Sequence, residues 1–307
     1  MKRYEKLLLS LTFLTCAIPS LSDSAWTYGV SETEGWYDYN KSYNGDENMC
    51  WAASASNILS WWQDNSTYTR YASSQTPYGS QIWDTFRDSF TNEGGHSYYA
   101  YEWYFLGTYE PLNFPKDEDY DWALPKNSTN IGGGYYRSAE TYFSDERMTE
   151  SVANTDEHSY SSYYYYFSSF IVEALNNNYA LSLSISNLGG NIYEQGTLTH
   201  AMTMWGCDYT TDADGNIAIQ TLYITDSDDD NFSDLKTVSC YDFSLADGEE
   251  EQFCFSSEYY NSDTSEGYGD FYITDITGLN LLEAIPEPSS VVLVLAGLPF
   301  VLRRKRR

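Results

Sequence analysis

The sequence predicts an α+β fold in which helices come first along the chain and an antiparallel sheet follows. Apolar residues recur at helical spacing in the first half, whereas later segments alternate between apolar and polar residues with a period of two. The turn Asp212-Ala213-Asp214-Gly215-Asn216 joins two of the alternating segments, as expected for a β-hairpin. Helices followed by hairpin-connected strands are typical of the α+β class.

The helical spacing defines three helices. Helices are predicted over residues 50–62, 81–90 and 163–176. The first follows an extended segment at residues 26–43. It carries small residues on one side and a bulky stripe that includes Ile58, Leu59 and Trp62, so we expect it to pack closely against a sheet. Residues 92–157 are interpreted as a loop-rich, acidic region.

The period-two alternation defines the strands. Strands are predicted over residues 179–186, 198–205, 217–225, 236–243 and 270–276. Neighbouring strands along the chain are close enough for hairpin connections, so we expect antiparallel pairing.

The first 24 residues have the pattern of a secretory signal peptide. A basic start is followed by an apolar run at residues 7–18 and by small residues up to Ser24. The run is too short to span a membrane. We expect cleavage near residues 22–25, so that the protein is exported.

The last residues, 284–307, combine Pro286-Glu287-Pro288, an apolar run at residues 291–302 and a basic tail. This order resembles the PEP-CTERM sorting signal of Gram-negative bacteria, which an exosortase recognises and removes. The resemblance implies a transmembrane helix that anchors the chain transiently, and a mature protein in the cell envelope or outside the cell. The alternative is a plain tail anchor. Residues 25–283, between the two ends, are long enough for one domain with its own core.

The chain is strongly acidic, with a net charge of −29 at pH 7. Such a surface repels nucleic acid and anionic membranes, so the composition excludes nucleic acid as a partner. The 31 tyrosines suit either a partly polar core or a binding surface.

Four cysteines lie outside the predicted signal peptide: Cys50, Cys207, Cys240 and Cys254. An exported protein can form disulfides, and Cys240 and Cys254 could close a small loop while the other two stay free. The sequence does not decide this pairing. No two of the four have the short spacing of a zinc site.

Cys50 is the strongest candidate for a reactive group, because it stands where the first helix begins. The N-terminal end of a helix carries partial positive charge and free N–H groups, which favour the thiolate form of cysteine. The same N–H groups can stabilise a developing oxyanion. Lys41, nine residues upstream, adds a positive charge nearby.

The three histidines differ in their surroundings. His96 and His158 lie in polar, loop-like stretches, where we expect them to be solvated. His200 lies in a predicted strand, and the next strand ends at Asp226. Because a hairpin places the end of one strand beside the start of its partner, we expect His200 and Asp226 to meet. A carboxylate there would fix the imidazole tautomer and stabilise its charged form.

Five segments carry a resemblance to a known family. They are Gly35-Trp36-Tyr37-Asp38 with Lys41 and Asn44-Gly45, Cys50 with Ala52-Ala53, Asn57 with Leu59 and Trp61-Trp62, His200 with Trp205-Gly206 and Asp208, and Tyr223 with Thr225-Asp226-Ser227-Asp228. In these segments the chain resembles the IdeS/Mac family of cysteine endopeptidases, which streptococci secrete and which degrade immunoglobulin G. The resemblance covers residues 26–243 and is loose over residues 63–157. It implies a papain-like fold, with the nucleophile helix packed on the antiparallel sheet.

The resemblance also implies a role for five residues. Cys50 would be the nucleophile, His200 the general base and Asp226 the group that orients His200. Asp228 would be a second carboxylate near the site, and Lys41 would donate to the oxyanion together with the Cys50 backbone N–H. The resemblance implies no cofactor and no metal. It implies an extracellular protein substrate such as an immunoglobulin, and an exosortase-type enzyme would be the processing partner.

Four features depart from the family, and three alternatives stay open. The PEP-CTERM context is not streptococcal, and Cys207 replaces a small residue and is expected to be an inert buried thiol. Lys41 stands nine residues before Cys50, where about ten are expected, and Trp51 replaces a small residue, so we expect Trp51 to narrow the cleft. The chain could instead be an inactive surface binding module on the same scaffold, or an acyl-transfer enzyme of the transglutaminase type. The acidic run at residues 226–230 also offers oxygen ligands for calcium, although its spacing does not fit a twelve-residue calcium loop.

Overall fold

A computed structural model of the chain gives its helices and strands in order. It describes residues 22–109, 122–127, 132–137, 148–152, 163–187, 199–228, 235–243, 252–255 and 271–281. The helices are α1 (Cys50–Asn65), α2 (Ser80–Ser89), α3 (Ser97–Leu106) and α4 (Tyr163–Asn176). The strands are β1 (Asp23–Trp26), β2 (Met148–Val152), β3 (Tyr179–Asn187), β4 (Thr199–Thr211), β5 (Ile217–Thr225), β6 (Lys236–Phe243), β7 (Gln252–Phe255) and β8 (Phe271–Asn280). This order confirms the predicted α+β class and is consistent with a papain-like fold.

All strand pairings among the described residues are antiparallel, and the sheet returns on itself. The order is β1-β4-β3-β8-β7-β6-β5, and β4 also pairs with β5. The β4–β5 register confirms the predicted hairpin, since Thr203 lies opposite Thr225. The start of β4 therefore lies close to the end of β5, as the sequence predicted.

Two apolar cores lie on the two sides of this sheet. One joins α4 to residues of β3, β4, β5 and β8, among them Phe167, Leu183 and Ile224. The other joins α1, α2 and α3 to a different set of sheet residues, among them Ala201 and Trp205. The small side of α1 lies against the sheet, where the Ser54 hydroxyl donates to the Met202 carbonyl oxygen (3.1 Å) and lies within hydrogen-bond distance of the Ser182 hydroxyl (2.8 Å).

One helix lies in the region that was predicted to be loop-rich. α3 begins after His96 and ends at Gly107, which adopts the left-handed conformation (φ 75°). Its residues SYYAYEWYFL are buried on most sides, including Tyr101, Trp103 and Tyr104. A helix surrounded by core shows no alternation of polar and apolar faces, so its periodicity does not stand out in the sequence.

Trp51 packs into the core, so the expectation that it narrows the cleft is wrong. Its side chain is 1% exposed and contacts Phe86 and Phe90 edge to face, with ring centroids 5.9 and 5.5 Å away. Its indole N–H donates to the Glu93 carbonyl oxygen (3.1 Å). A Cβ at Gly95 would come within 2.4 Å of the Trp51 ring, so the glycine makes room for it.

The possible disulfide between Cys240 and Cys254 does not form. No disulfide joins any two of the four described cysteines. In the β6–β7 register, Cys240 lies opposite Phe255 and Cys254 lies opposite Tyr241. Because successive side chains of a strand point to opposite faces, the two thiols project from opposite sides of the sheet and cannot meet.

The expected transmembrane helix is a wrong prediction. Within the part of the chain that the structure describes, no helix has the length and the apolar character needed to cross a membrane. The apolar run at residues 291–302 lies outside that part. Its length gives the physical reason, because a helix over this run would rise only about 18 Å, whereas the hydrocarbon core of a bilayer is about 30 Å thick.

Asn57 fixes α1 to the strands that carry the candidate site. Its Oδ1 accepts from the Tyr39 backbone N–H (2.8 Å), and its Nδ2 donates to the hydroxyls of Thr203 (3.0 Å) and Thr225 (3.4 Å). The side chain is buried, so the hydrogen bonds of its amide group replace hydrogen bonds to water at all three contacts.

We predict that Asn57→Ala lowers the free energy of unfolding by about 2–4 kcal/mol, because it leaves a buried N–H and two hydroxyls without this partner. Urea denaturation measures the change. Asn65→Ala is the matched control on the same helix, since the Asn65 amide donates only within α1, to the Trp61 carbonyl oxygen. Equal losses in the two variants would contradict the role of Asn57.

Candidate active site

Cys50 is the first residue of α1, as the sequence predicted. The N-cap residue is Met49, and no side chain caps this end of the helix. The Met49 carbonyl oxygen accepts from the N–H groups of Ala52 (3.0 Å) and Ala53 (3.1 Å). The positive end of the helix dipole is therefore not neutralised by a capping carboxylate, and it acts on the Cys50 thiol.

His200 and Asp226 form a buried pair at the start of β4 and the end of β5. The His200 Nε2–H donates to Asp226 Oδ1 over 2.6 Å, and the two side chains are 4% and 0% exposed. The same Oδ1 accepts from the Asp228 backbone N–H (3.0 Å). His200 is also hydrogen-bonded to the Cys50 thiol. Because Nε2 is hydrogen-bonded to the Asp226 carboxylate, the imidazole nitrogen that remains for the thiol is Nδ1.

The three groups shift one another's pKa values toward their charged forms. Burial opposes ionisation of Cys50 most strongly, yet the charge and hydrogen bond of His200, the charge of Lys41 and the Ala201 N–H together lower the thiol pKa. Burial also opposes the charge on His200, but Asp226 and the Cys50 thiolate raise its pKa well above the usual value. Despite its burial, Asp226 has a pKa of about 2, because His200 stabilises the carboxylate. These shifts favour a thiolate at Cys50 and an imidazolium at His200.

Lys41 and Asp228 form a second pair beside the first. The Lys41 ammonium is buried, donates to the Glu47 carbonyl oxygen (2.7 Å) and forms an ion pair with Asp228 Oδ1. The other oxygen of Asp228 lies 3.7 Å from His200 Nδ1. An ammonium has three N–H donors, so these two contacts leave Lys41 one donor for a further acceptor.

The structure thus brings together all five residues that the sequence predicted for the site. The Lys41 backbone N–H donates to the Ser227 carbonyl oxygen (2.9 Å), which fixes the Lys41 segment to the end of β5. The Cys50 thiol stands at the start of α1, where the charges of His200 and Lys41 both act on it. This set can generate a nucleophile, transfer its proton and stabilise an oxyanion.

Sequence reasoning missed Asp46, which holds the loop between Lys41 and Cys50. Its buried carboxylate accepts from the Ser42 N–H (3.0 Å) and the Ser42 hydroxyl (2.9 Å), and it forms an ion pair with Arg87 of α2 (3.1 Å). Burial raises the Asp46 pKa, but the Ser42 hydrogen bonds and Arg87 outweigh it and hold the pKa below its usual value. The Asn44-Gly45-Asp46 sequence was the available signal, because it is typical of a tight turn.

This loop also accommodates the short spacing between Lys41 and Cys50. Gly45 adopts a left-handed backbone (φ 82°) with open space around its Cα. The turn that it permits brings Glu47 back to the Lys41 ammonium, so nine residues suffice to close the site.

The geometry also bears on the calcium alternative. Ligand atoms of His200, Asp226 and Asp228 all lie within 4.8 Å of one another. However, Asp226 is already bonded to His200, and Asp228 is already paired with Lys41. Calcium prefers six to eight oxygen ligands, and this set contains a nitrogen and two carboxylates that protein cations neutralise. The described residues do not fit a calcium ion, and residues 229–230 lie outside them.

His96 is bonded rather than solvated, contrary to the sequence expectation. Its Nδ1 accepts from the Tyr98 N–H at the start of α3, and its Nε2 lies 2.8 Å from Asp275 Oδ2. The imidazole thereby links α3 to β8. The expectation for His158 concerns a residue outside the described part of the chain.

Comparisons with known proteins find similarity to the Mac 1 family and to a protease. Residues 22–77 match the model of a protein family described as Mac 1. The chain is also similar to the IgM protease of Streptococcus suis (strain P1/7), with 28% identity over 234 residues. This alignment covers 64% of the chain but only 18% of the relative, so the chain corresponds to less than a fifth of that protein's length. The family match includes Lys41 and Cys50, whereas His200 and Asp226 lie beyond it.

We predict that iodoacetamide alkylates Cys50 with a pH midpoint below that of an ordinary cysteine, because His200 and Lys41 stabilise the thiolate. Burial raises the pKa of Cys207 to about 12, so this thiol is an internal control that reacts slowly at neutral pH. His200→Ala should raise the pH midpoint of Cys50 alkylation. Burial raises the thiol pKa, and the variant lacks the His200 charge that lowers it most. Mass spectrometry of each cysteine-containing peptide over a pH series measures both. Equal, slow labelling of the two thiols would contradict the site.

Proposed function

We propose that the chain is a cysteine endopeptidase of the IdeS/Mac family, acting on an extracellular protein. The observation that carries the proposal is the contact of Cys50 with the buried His200–Asp226 pair, in which the thiol pKa is lowered and the imidazole pKa is raised. The Mac 1 match and the similarity to IgM protease support the same class.

In the proposed reaction the Cys50 thiolate attacks the carbonyl carbon of a peptide bond and forms a C–S bond. The carbonyl oxygen becomes an oxyanion, which accepts hydrogen bonds from the free donor of Lys41 and the Cys50 backbone N–H. His200 then gives its Nδ1 proton to the leaving amine as the C–N bond breaks, leaving a thioester. Water attacks the thioester while His200 takes its proton, and the acid product and thiolate are released.

The two carboxylates act on different groups in this scheme. Asp226 is fully buried and bonded to Nε2, so it holds the imidazole with Nδ1 toward Cys50 and stabilises its positive charge. Asp228 is 26% exposed and contacts both Lys41 and the Nδ1 side of His200. It keeps the ammonium next to the place where the oxyanion forms.

The proposed substrate is an immunoglobulin or a similar extracellular glycoprotein. The name of the relative indicates an immunoglobulin substrate for that protein, and the family resemblance indicates immunoglobulin G. The proposal includes export through the signal peptide at residues 1–24 and processing within residues 284–307, with residues 25–283 as the peptidase domain.

We predict that the mature domain cleaves a protein from a panel of immunoglobulins M and G, mucins and bacterial surface proteins. Cys50→Ala should lower the cleavage rate by at least about 10⁴-fold, because no other group forms the thioester. Cys207→Ala is the matched control and should keep most of the activity, since Cys207 is a buried thiol with a raised pKa. Electrophoresis and mass spectrometry of the products measure cleavage.

The same panel tests the two alternatives. A binding module would capture one protein equally well with and without Cys50, and no fragment would appear. An acyl-transfer enzyme would attach an added labelled amine to the substrate through Cys50 instead of cutting its chain. Either result would contradict the proposed hydrolysis.

We predict that Lys41→Met lowers kcat about 10²–10³-fold and changes KM less than about threefold, because its donor acts on charge that develops in the transition state. Lys126→Met is the control, since Lys126 lies on the surface and donates to the Arg87 carbonyl oxygen. Steady-state kinetics on the best substrate of the panel separate the two constants. A rise in KM with unchanged kcat would exclude the oxyanion role.

A further inference from the structure

Tyr43 is a large aromatic residue with an unfavourable backbone conformation at the edge of the candidate site. Its φ is 53°, in the left-handed region that favours glycine and asparagine. Its side chain is nevertheless 56% exposed, so burial of the ring does not compensate for this conformation. Residues held in such conformations cluster at functional sites, where a side chain has to be placed in one position.

The contacts of Tyr43 place its ring at the mouth of the site. The ring centroid lies 5.5 Å from the Lys41 ammonium, in cation–π range. The hydroxyl donates to the Asp228 backbone carbonyl oxygen over 3.4 Å. Tyr43 therefore connects the loop that carries Lys41 to the segment that follows β5, with its ring beside the Lys41 ammonium.

The loop around Tyr43 is held on both sides. The backbone N–H groups of Ser42 and Asn44 both donate to the buried carboxylate of Asp46, which is paired with Arg87. The ring is thus exposed but attached to a fixed backbone, a combination that suits an aromatic contact for a ligand.

We propose that Tyr43 contacts the substrate and determines specificity by stacking on an extended peptide, at the residue next to the scissile bond. The inference rests on the proposed peptidase function. If Lys41 donates to the scissile carbonyl oxygen over about 3 Å, the ring lies within about one or two residue spacings of that carbonyl along the peptide. An aromatic face at that distance covers the peptide and excludes water from the Lys41 ammonium.

The test compares two alkylating reagents on the full domain. Iodoacetamide reaches Cys50 without a peptide, whereas acetyl-dipeptidyl chloromethyl ketones must bind as a peptide does. We expect Tyr43→Asn and Tyr43→Ala to lower the ratio of the peptidyl rate to the iodoacetamide rate about tenfold, as for loss of an aromatic contact. Tyr43→Phe keeps the ring and should keep the ratio within about twofold.

Stability provides the second readout, because a structural role and a substrate role predict opposite signs. Asparagine tolerates φ near +53°, so Tyr43→Asn should leave the melting temperature unchanged or raise it while the reagent ratio falls. Tyr165→Ala is the control for removing an exposed aromatic side chain. Tyr165 is 39% exposed on α4, on the other side of the sheet, and its loss should leave the ratio unchanged.

Three outcomes would overturn the inference. One outcome is that Tyr43→Asn leaves the ratio of the peptidyl rate to the iodoacetamide rate unchanged while wild-type Cys50 is alkylated fast. This would show that Tyr43 does not contact the substrate, and it would leave the proposed function intact. An equal fall of both rates would show that Tyr43 acts only through Cys50 or Lys41. If wild-type Cys50 reacts no faster than Cys207, the proposed function fails and the role of Tyr43 fails with it.

Discussion

The buried charge pair of His200 and Asp226 sets the main constraint on this structure. Placing an ionised group in the interior costs several kcal/mol unless partners compensate for the lost water. Here the carboxylate is bonded to the imidazole and to a backbone N–H, and the imidazole faces the Cys50 thiol. The charges are tolerated only while α1, β4 and β5 keep their positions, so the packing of these elements and the chemistry of the site depend on one another.

The sequence of α1 explains how the helix approaches the sheet closely enough. Its sheet-facing side is made of alanine and serine, which keep the helix axis near the strands, and Ser54 and Asn57 use their polar atoms to bond to β3, β4 and β5. Larger residues on this side would push the helix start, and therefore Cys50, away from His200. The bulky residues lie on the other side, where Trp51 anchors the first turn between Phe86 and Phe90.

Elements with a clear period and residues next to their ends could be predicted from the sequence. α1, α4 and most strands follow from periodicity, and Cys50, His200 and Asp226 follow from their positions at a helix start and in a hairpin. α3 has no polar face, so periodicity does not reveal it. Trp51, His96 and Asp46 depend on contacts between segments far apart in the chain or on the geometry of one loop, and residue type alone does not indicate these partners.

The charges around the candidate site favour a thiolate at Cys50 and an imidazolium at His200. Moving a proton from Cys50 to His200 only separates charge, so the surrounding field decides the balance. The carboxylate of Asp226 lies beside the imidazole, where it favours protonation. The cationic Lys41 and the positive end of α1 act on the Cys50 thiol and favour the thiolate. In the proposed reaction, the same two positive groups remain in place when negative charge moves from sulfur to a substrate oxygen. The groups that favour the thiolate would therefore also stabilise the oxyanion, with little need to reorganise.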